Sequence, residues 1–357
     1  MRTIKRAAAI FTAAMALPLA SQAQCNILSR GFTSLPEGVV SPENVSAVGK
    51  YGEFLLIGAD EAQELEVVKG HPEKGRNLIQ VLSPDGSGDW GLHHEIELFT
   101  GEETDDGGVE MDIEAIAVDG DTVYVVGSHS AKRSKIKPDK KYEENLEKLR
   151  TQGVSAEPNR GRVYRLRLNG QAELREKSHI SLTDELEDNE MLKLFKGLPS
   201  KENGVDIEGA AIFDGKLWLG FRGPVLRENY VPVMVLDKRE LDATGMRYVV
   251  LGGRGIRGMA EVSDGILLIG GPVGDGTASY ELYHWDGNDM VPGRERGGEP
   301  LGRLKPLGTI TPPPGGKAEG ITVLAEHPDT YELLIAYDGV ADSGQVLERI
   351  TVNNSGN

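Results

Sequence analysis

The run Glu208-Gly-Ala-Ala-Ile-Phe-Asp-Gly-Lys-Leu-Trp-Leu-Gly220 decides the fold. An acidic residue opens a short apolar segment of small and branched side chains. Asp214-Gly215 then interrupts it, and a second apolar segment runs to a glycine. Asp-Gly is a strong signal for a two-residue hairpin turn, because the central positions of such turns adopt positive φ. The unit therefore predicts two antiparallel strands.

Four other stretches repeat it. Asn44 to Val48 is followed by Phe54 to Gly58. Glu114 to Val118 is followed by the pair Asp119-Gly120 and then Thr122 to Gly127. Arg257 to Glu261 is followed by Asp264-Gly265 and Ile266 to Gly270, and Glu319 to Val323 by Leu333 to Ala336. After each hairpin comes a third strand candidate: Leu78 to Leu82, Val163 to Leu168, Val231 to Leu236, Tyr280 to Trp285 and Val346 to Val352. A fourth follows in four units, at Ile96 to Phe99, Ala172 to Leu182, Tyr248 to Leu251 and Leu304 to Ile310. The fifth unit ends without one, and the unassigned segment Asn26 to Phe32 is expected to supply it. An internal repeat of this kind predicts an all-β, five-bladed β-propeller closed by an N-terminal outer strand in its last blade, with six blades as the alternative. The second unit is lengthened by two helical insertions, near residues 137–152 and 184–201. In the latter, Met191, Leu192, Leu194 and Phe195 are expected to pack on the rim.

The segment before the repeats has a different character. Arg2, Lys5 and Arg6 precede an apolar run from Ala7 to Ala20 and then Ser21-Gln22-Ala23, the pattern of a secretory leader cut after Ala23. The expected organisation is a signal peptide at 1–23 and a single propeller domain at 24–357, located in the periplasm or secreted. Cys25, the only cysteine, leaves a lipid anchor as a lesser alternative and permits no internal disulfide. No later run approaches the length of a membrane span. The formal net charge of −17 argues against nucleic acid and anionic membranes, which require a basic surface. A bound cation suits it better, and a monomer is expected.

In a propeller the residues just before the inner strand and just after the second strand share one end of the channel. That rule gathers Asp112, Glu114, Asp206, Glu208, Arg257, Lys317 and Glu319 with Asp60, Glu61, His129, Arg222, Tyr337 and Asp338. Turns call for Gly, Asn and Asp, not Glu, Arg and His, so this rim is the best functional signal. Clustered carboxylates offer the hard oxygen ligands that Ca²⁺ takes, and Asp112, Glu114, Asp206 and Glu319 are the expected metal ligands. The acidic loop Glu102, Glu103, Asp105, Asp106 and Glu110 leads to the same face. Arg222, Arg257, Lys317 and Tyr337 are expected to bind a small anionic molecule or ester. His129 and Glu208 are the expected catalytic pair, His129 as general base. Gly253-Arg-Gly255-Ile-Arg-Gly258 has dinucleotide-fingerprint spacing but runs into a strand, so no helix N-terminus would meet a pyrophosphate.

Asp206 to Val225, together with Ile256-Arg-Gly-Met-Ala260, resembles a bacterial family known only as domain of unknown function 3616. That resemblance implies no activity. More distantly, the Glu-Gly-aliphatic starts at Glu208 and Glu319 are similar to those of esterase-like phytase propellers and calcium-dependent lactonase propellers. This similarity implies that a channel-end acid at Glu208, Glu319 and, less closely, Glu114 helps bind metal, while Arg257 breaks the pattern in the fourth unit. Two functions are expected from the whole. One is a Ca²⁺-dependent hydrolase of an ester, phosphoester or lactone. The other is a non-catalytic propeller that binds a ligand or protein on the same face.

Overall fold

Small residues follow Ser46, Glu114, Glu208, Arg257 and Glu319 because neighbouring blades pass very close there. In the computed structural model, a Cβ on Gly209 would lie 2.6 Å from Met259 Cγ and 2.9 Å from Ile256 Cγ2 of the next blade. A Cβ on Gly258 would lie 2.5 Å from the Glu319 carbonyl oxygen, and one on Gly320 3.1 Å from that of Ser46. Ala47 and Ala115 hold the corresponding places in the other two blades. The structure describes residues 27–64, 74–86, 89–102, 109–150 and 154–354. The expected leader, Cys25 and residues 103–108 of the acidic loop lie outside them.

The chain is a five-bladed β-propeller. From the channel outward, blade one is Val45–Tyr51, Phe54–Ala59, Lys74–Pro84 and Trp90–Glu102, with the short strand Gln63–Glu64 added to its third strand. Blade two is Ile113–Asp119, Thr122–Gly127, Arg162–Leu168 and Leu174–Ser181. Blade three is Asp206–Phe213, Lys216–Gly223, Tyr230–Asp237 and Ala243–Val250. Blade four is Gly255–Val262, Gly265–Gly271, Tyr280–Trp285 and Leu304–Ile310. Blade five is Lys317–His327, Thr330–Asp338, Leu347–Asn353 and, as its outer strand, Ile27–Thr33. That N-terminal strand runs antiparallel to the last one, Ile27 opposite Val352 and Thr33 opposite Leu347. It removes a free sheet edge and ties both chain ends into one blade. Each inner strand packs against the next, from one to five and back to one.

The apolar core lies between blades as four clusters, with Trp218 and Trp285 edge to face at 5.6 Å between blades three and four. The hairpins differ in detail from the sequence expectation. Only Asp214 (φ 49°) and Gly215 (φ 68°) form the turn centre that Asp-Gly predicts. In blade two the centre is Gly120-Asp121, because Asp119 still pairs with Thr122. In blade four it is Ser263-Asp264, because Gly265 already pairs with Val262. Cross-strand burial sets the register, and the turn falls where that register leaves two residues over.

The described residues of both insertions of blade two form short elements of their own. The first contains Ala131–Arg133 paired with Val154–Ala156, and the helix Tyr142–Arg150. Arg133 ties them together, donating to the Lys148 carbonyl at 2.8 Å and to Glu202 Oε2 at 2.9 Å. The second contains the helix Thr183–Asp188 and a 3₁₀ turn at Leu192–Leu194. Leu186 and Leu192 are buried there, whereas Leu194 stands 70 % exposed and does not pack as its pattern suggests.

Candidate functional site

All five inner strands break register at the same point. The pairing jumps across Ser46, Glu114, Glu208, Arg257 and Glu319, so one residue per blade lies opposite no partner. A bulge frees its extra residue from the ladder and re-aims the side chain. Here it presents five buried side chains at one end of the channel. This register also shows that Ser46, not Asn44, is the blade-one counterpart of Glu114.

Two further positions in each blade flank the bulge. Two residues before it stand Asn44, Asp112, Asp206, Gly255 and Lys317, and at the end of the second strand stand Asp60, Ser128, Arg222, Gly271 and Asp338. Blade four has glycine at both flanking places. A Cβ on Gly255 would meet the Arg222 carbonyl oxygen at 2.0 Å, and one on Gly271 would meet the Tyr280 ring at 2.7 Å and Arg257 Cγ at 2.8 Å.

The cations of this ring are shared between carboxylates. Arg222 pairs with Asp206 and, at 2.6 Å, with Glu208. Arg257 pairs with Glu208 at 2.9 Å and with Glu319. Lys317 pairs with Asp338. Asp112 is held by Arg160, which also reaches Glu110 at 2.9 Å and Glu157 at 3.4 Å. Arg222 takes the Oδ2 side of Asp206, and the buried Asp206 Oδ1 accepts no hydrogen bond.

Glu114 and Asp60 are the exceptions. Neither has an ion-pair partner among the described residues, and neither the buried Glu114 Oε2 nor Asp60 Oδ1 accepts a hydrogen bond. One oxygen from each of Glu114, Asp206 and Glu208 lies within 4.8 Å of the others. Burial, then the charges of Glu208, Asp112, Glu319 and Asp206, push the Glu114 carboxyl well above the usual range. Burial likewise raises Asp206 to about 6 and Glu208 and Glu319 to about 7, against the opposing pull of Arg222 and Arg257. Asp60 is also raised, first by burial and then by Asp338.

Space here is tight. The channel segment lined by Glu114, Glu208 and Glu319 leaves a cavity of about 10 Å³, the room of roughly one water molecule or ion. The other end of the channel, between Lys50, Glu261 and Thr322, opens into a pocket of about 220 Å³.

The remaining expected site residues lie elsewhere or play other parts. His129 turns through a left-handed backbone (φ 57°) and bonds through Nδ1 to the Gly127 carbonyl at 2.8 Å. Its Nε2 is buried without a hydrogen-bond partner. Burial lowers its pKa to about 4, which makes it a weak general base near neutral pH. Tyr337 does not reach the channel, because strand alternation turns it away from Asp338. It is fully buried and donates its hydroxyl proton to Glu348. Glu208 is wedged between two arginines rather than poised beside a nucleophile. Asp112 and Glu319, expected metal ligands, are taken up by Arg160 and Arg257. Glu61 accepts from Asn44 at 2.9 Å at the exposed edge of the rim. Arg160 was not signalled by the repeat at all, since it comes from the 3₁₀ turn Pro158–Gly161 of an insertion.

A family model described as protein of unknown function, DUF3616, matches residues 44–352. The chain belongs to this family. The DUF3616 match runs from just before the first inner strand into the last strand, so it spans the whole propeller apart from the N-terminal closing strand. No curated protein matches the sequence. Among solved structures, a GH43 β-1,3-galactosidase is similar at 11 % identity and a TM-score of 0.44, over 91 % of this chain and 94 % of that one. An exo-β-1,3-galactanase from Phanerochaete chrysosporium is similar at 7 % identity and 0.44, over 92 % of this chain and 64 % of that one. The hydrazine synthase of Kuenenia stuttgartiensis is similar at 11 % identity and 0.38, over 90 % and 67 %. None of these likenesses carries chemistry across to this DUF3616 chain.

Proposed function

We propose that this propeller binds one Ca²⁺ at the closed end of its channel through Glu114, Asp206 and Glu208, and that the ion completes a binding face rather than activating water. The observation that carries the reading is Glu114, a buried carboxyl with no ion-pair partner among the described residues, facing two more carboxylates. Oxygens within 4.8 Å of one another suit a Ca²⁺ shell, in which each lies at about 2.3–2.6 Å from the ion. Asp206 Oδ1 and Glu114 Oε2, which accept no hydrogen bond, are the acceptors such an ion would use. The enclosure supports binding over catalysis. The Asp206 and Glu208 side chains are 2 % and 1 % exposed, which leaves an ester no room beside the ion.

Thermal unfolding in chelator and in millimolar Ca²⁺ tests this. Saturation a hundredfold above Kd stabilises a folded state by about 2.7 kcal/mol, so the melting temperature should rise clearly with Ca²⁺ and the rise should vanish in Glu114→Gln. A wild-type melting temperature indifferent to both additions overturns the reading. A hydrolase of an ester, phosphoester or lactone is the second reading. It is favoured by carboxyls held at about 6 and 7, the range useful for proton transfer near neutrality. Turnover of an aryl ester, phosphoester or lactone that is lost in Glu208→Gln would establish it.

A further inference from the structure

At the opposite end of the molecule from the carboxylate ring, blades two and three leave between them a groove of about 540 Å³. A volume of this size falls within the ~300–1,000 Å³ typical of small-ligand sites. Its wall on blade two is one face of the sheet: Arg165 lies across from Tyr124 and Ser178, and Arg167 across from Thr122 and Glu176. Its far wall is the Lys238-Arg239 turn of blade three.

The charges here are not all balanced. Arg167 is neutralised by Asp121 at 2.8 Å, and Lys238 by Asp119 at 2.5 Å. Lys177 points its ammonium away, to the Glu97 and Leu98 carbonyls of blade one. Arg165 and Arg239 have no carboxylate at ion-pair distance among the described residues. Arg165 instead donates to the Arg239 carbonyl, which brings its guanidinium to the turn that carries Arg239. That turn is fixed in its own right, because Asp237 Oδ1 accepts from the Arg239 and Glu240 amides at 2.8 and 3.0 Å. The Tyr124 hydroxyl donates to the Lys238 carbonyl at 2.7 Å and stiffens the same wall. On a chain of net charge −17, a groove with two unpaired guanidiniums is a local reversal of sign.

We infer that this groove binds a sugar-sized molecule through an oxyanion group, a phosphate or sulfate, clamped between Arg165 and Arg239. Guanidinium groups match tetrahedral oxyanions with paired donors, and the hydroxyls of Ser178 and Thr122 line the space where the rest of the ligand would lie. The inference is independent of the Ca²⁺ reading.

Calorimetric titration at low ionic strength tests it, with inorganic phosphate, inorganic sulfate, glucose 6-phosphate and glucose as probes. Glucose 6-phosphate should bind, the inorganic ions more weakly, and glucose not at all. Arg165→Gln and Arg239→Gln should each weaken glucose 6-phosphate about tenfold, or ~1.4 kcal/mol. Arg167→Gln should change it less than about twofold, since that arginine is already paired. Retained melting temperatures show that the surface variants still fold. Glu114→Gln should leave this binding untouched, which separates failure here from failure of the Ca²⁺ site. Binding of glucose equal to that of its phosphate, no binding of any phosphate or sulfate probe at millimolar concentration, or undiminished binding in the Arg165→Gln/Arg239→Gln double variant would each overturn the inference.

Discussion

Glu114 of blade two and Arg257 of blade four occupy the same bulged place on equivalent strands, with opposite charge and opposite circumstances. Arg257 is compensated twice, by Glu208 and Glu319, and its two flanking positions are glycines, Gly271 making room for it and for Tyr280 and Gly255 for the Arg222 backbone. Glu114 has no ion-pair partner among the described residues and faces Asp206 and Glu208 instead. The repeat thus dictates where a side chain points, while its chemistry is free to vary from blade to blade. It follows that the ring is not a symmetric metal cage. It is a cation-locked half, blades three to five, beside an acid-rich half that is short of positive charge.

The sharpest break in this comparison is to remove the lock. Arg257→Met would leave the Glu208 and Glu319 carboxylates facing one another without their shared cation. Breaking a buried ion pair on one side costs about 3–5 kcal/mol, and a fall of that size in the urea unfolding free energy is expected. Next in size is the space that the lock requires. Gly255→Ala would push a Cβ onto the Arg222 carbonyl oxygen, 2.0 Å away, and overpacking of this kind costs about 1–3 kcal/mol. The same change at Gly86, which has nothing within 4 Å, should meet no clash and lose only what its positive φ demands.

On the acid-rich side the sign reverses. In chelator, Glu114→Gln replaces a carboxyl crowded by like charges with a neutral amide that can donate to Asp206 or Glu208. It should raise stability by about 1–2 kcal/mol, the scale of relieving one unsatisfied buried polar group. In saturating Ca²⁺ the order of wild type and variant should invert. A Glu114→Gln protein less stable than wild type even in chelator would show that the carboxylate is satisfied without a metal.

The five-fold repetition, the closing strand and the channel-end placement of Glu114, Glu208, Arg257 and Glu319 were legible in the sequence. They follow from local alternation and from one residue type recurring at one place. The blade-one register was not, because Ser46 is a short hydroxyl that donates to the Ile113 carbonyl and carries no charge to mark its place. The ion pairing was not legible either. Which carboxylate Arg257 or Arg160 takes depends on side-chain reach across blades, and Arg160 arrives from an insertion that has no counterpart in the repeat. Tyr337 was misplaced by a single residue, which in a strand is the difference between the channel and the core.

The smallest expected effect separates His129 from the ring beside which it was first placed. Its folded-state pKa is lowered by burial from 6.5 to about 4. The unfolded chain therefore takes up a proton near pH 6.5 that the folded protein refuses until about pH 4, and His129 withdraws stability as pH falls through that window. Between pH 7 and 5.5 the loss amounts to about 1 kcal/mol. The ring carboxyls act in the other direction. With folded pKa values raised, they bind protons first in the folded state, and without metal they add stability as pH falls. Total stability against pH is thus a difference of two trends, and His129→Asn isolates one of them, since Asn tolerates the left-handed backbone at this position. The variant should lose stability overall with its Nδ1 bond to Gly127, yet the gap to wild type should narrow by about 1 kcal/mol from pH 7 to 5.5. Urea midpoints at the two pH values measure that gap. A constant gap would mean that His129 is solvated enough to titrate normally, which would return it to the open rim and to consideration as a base.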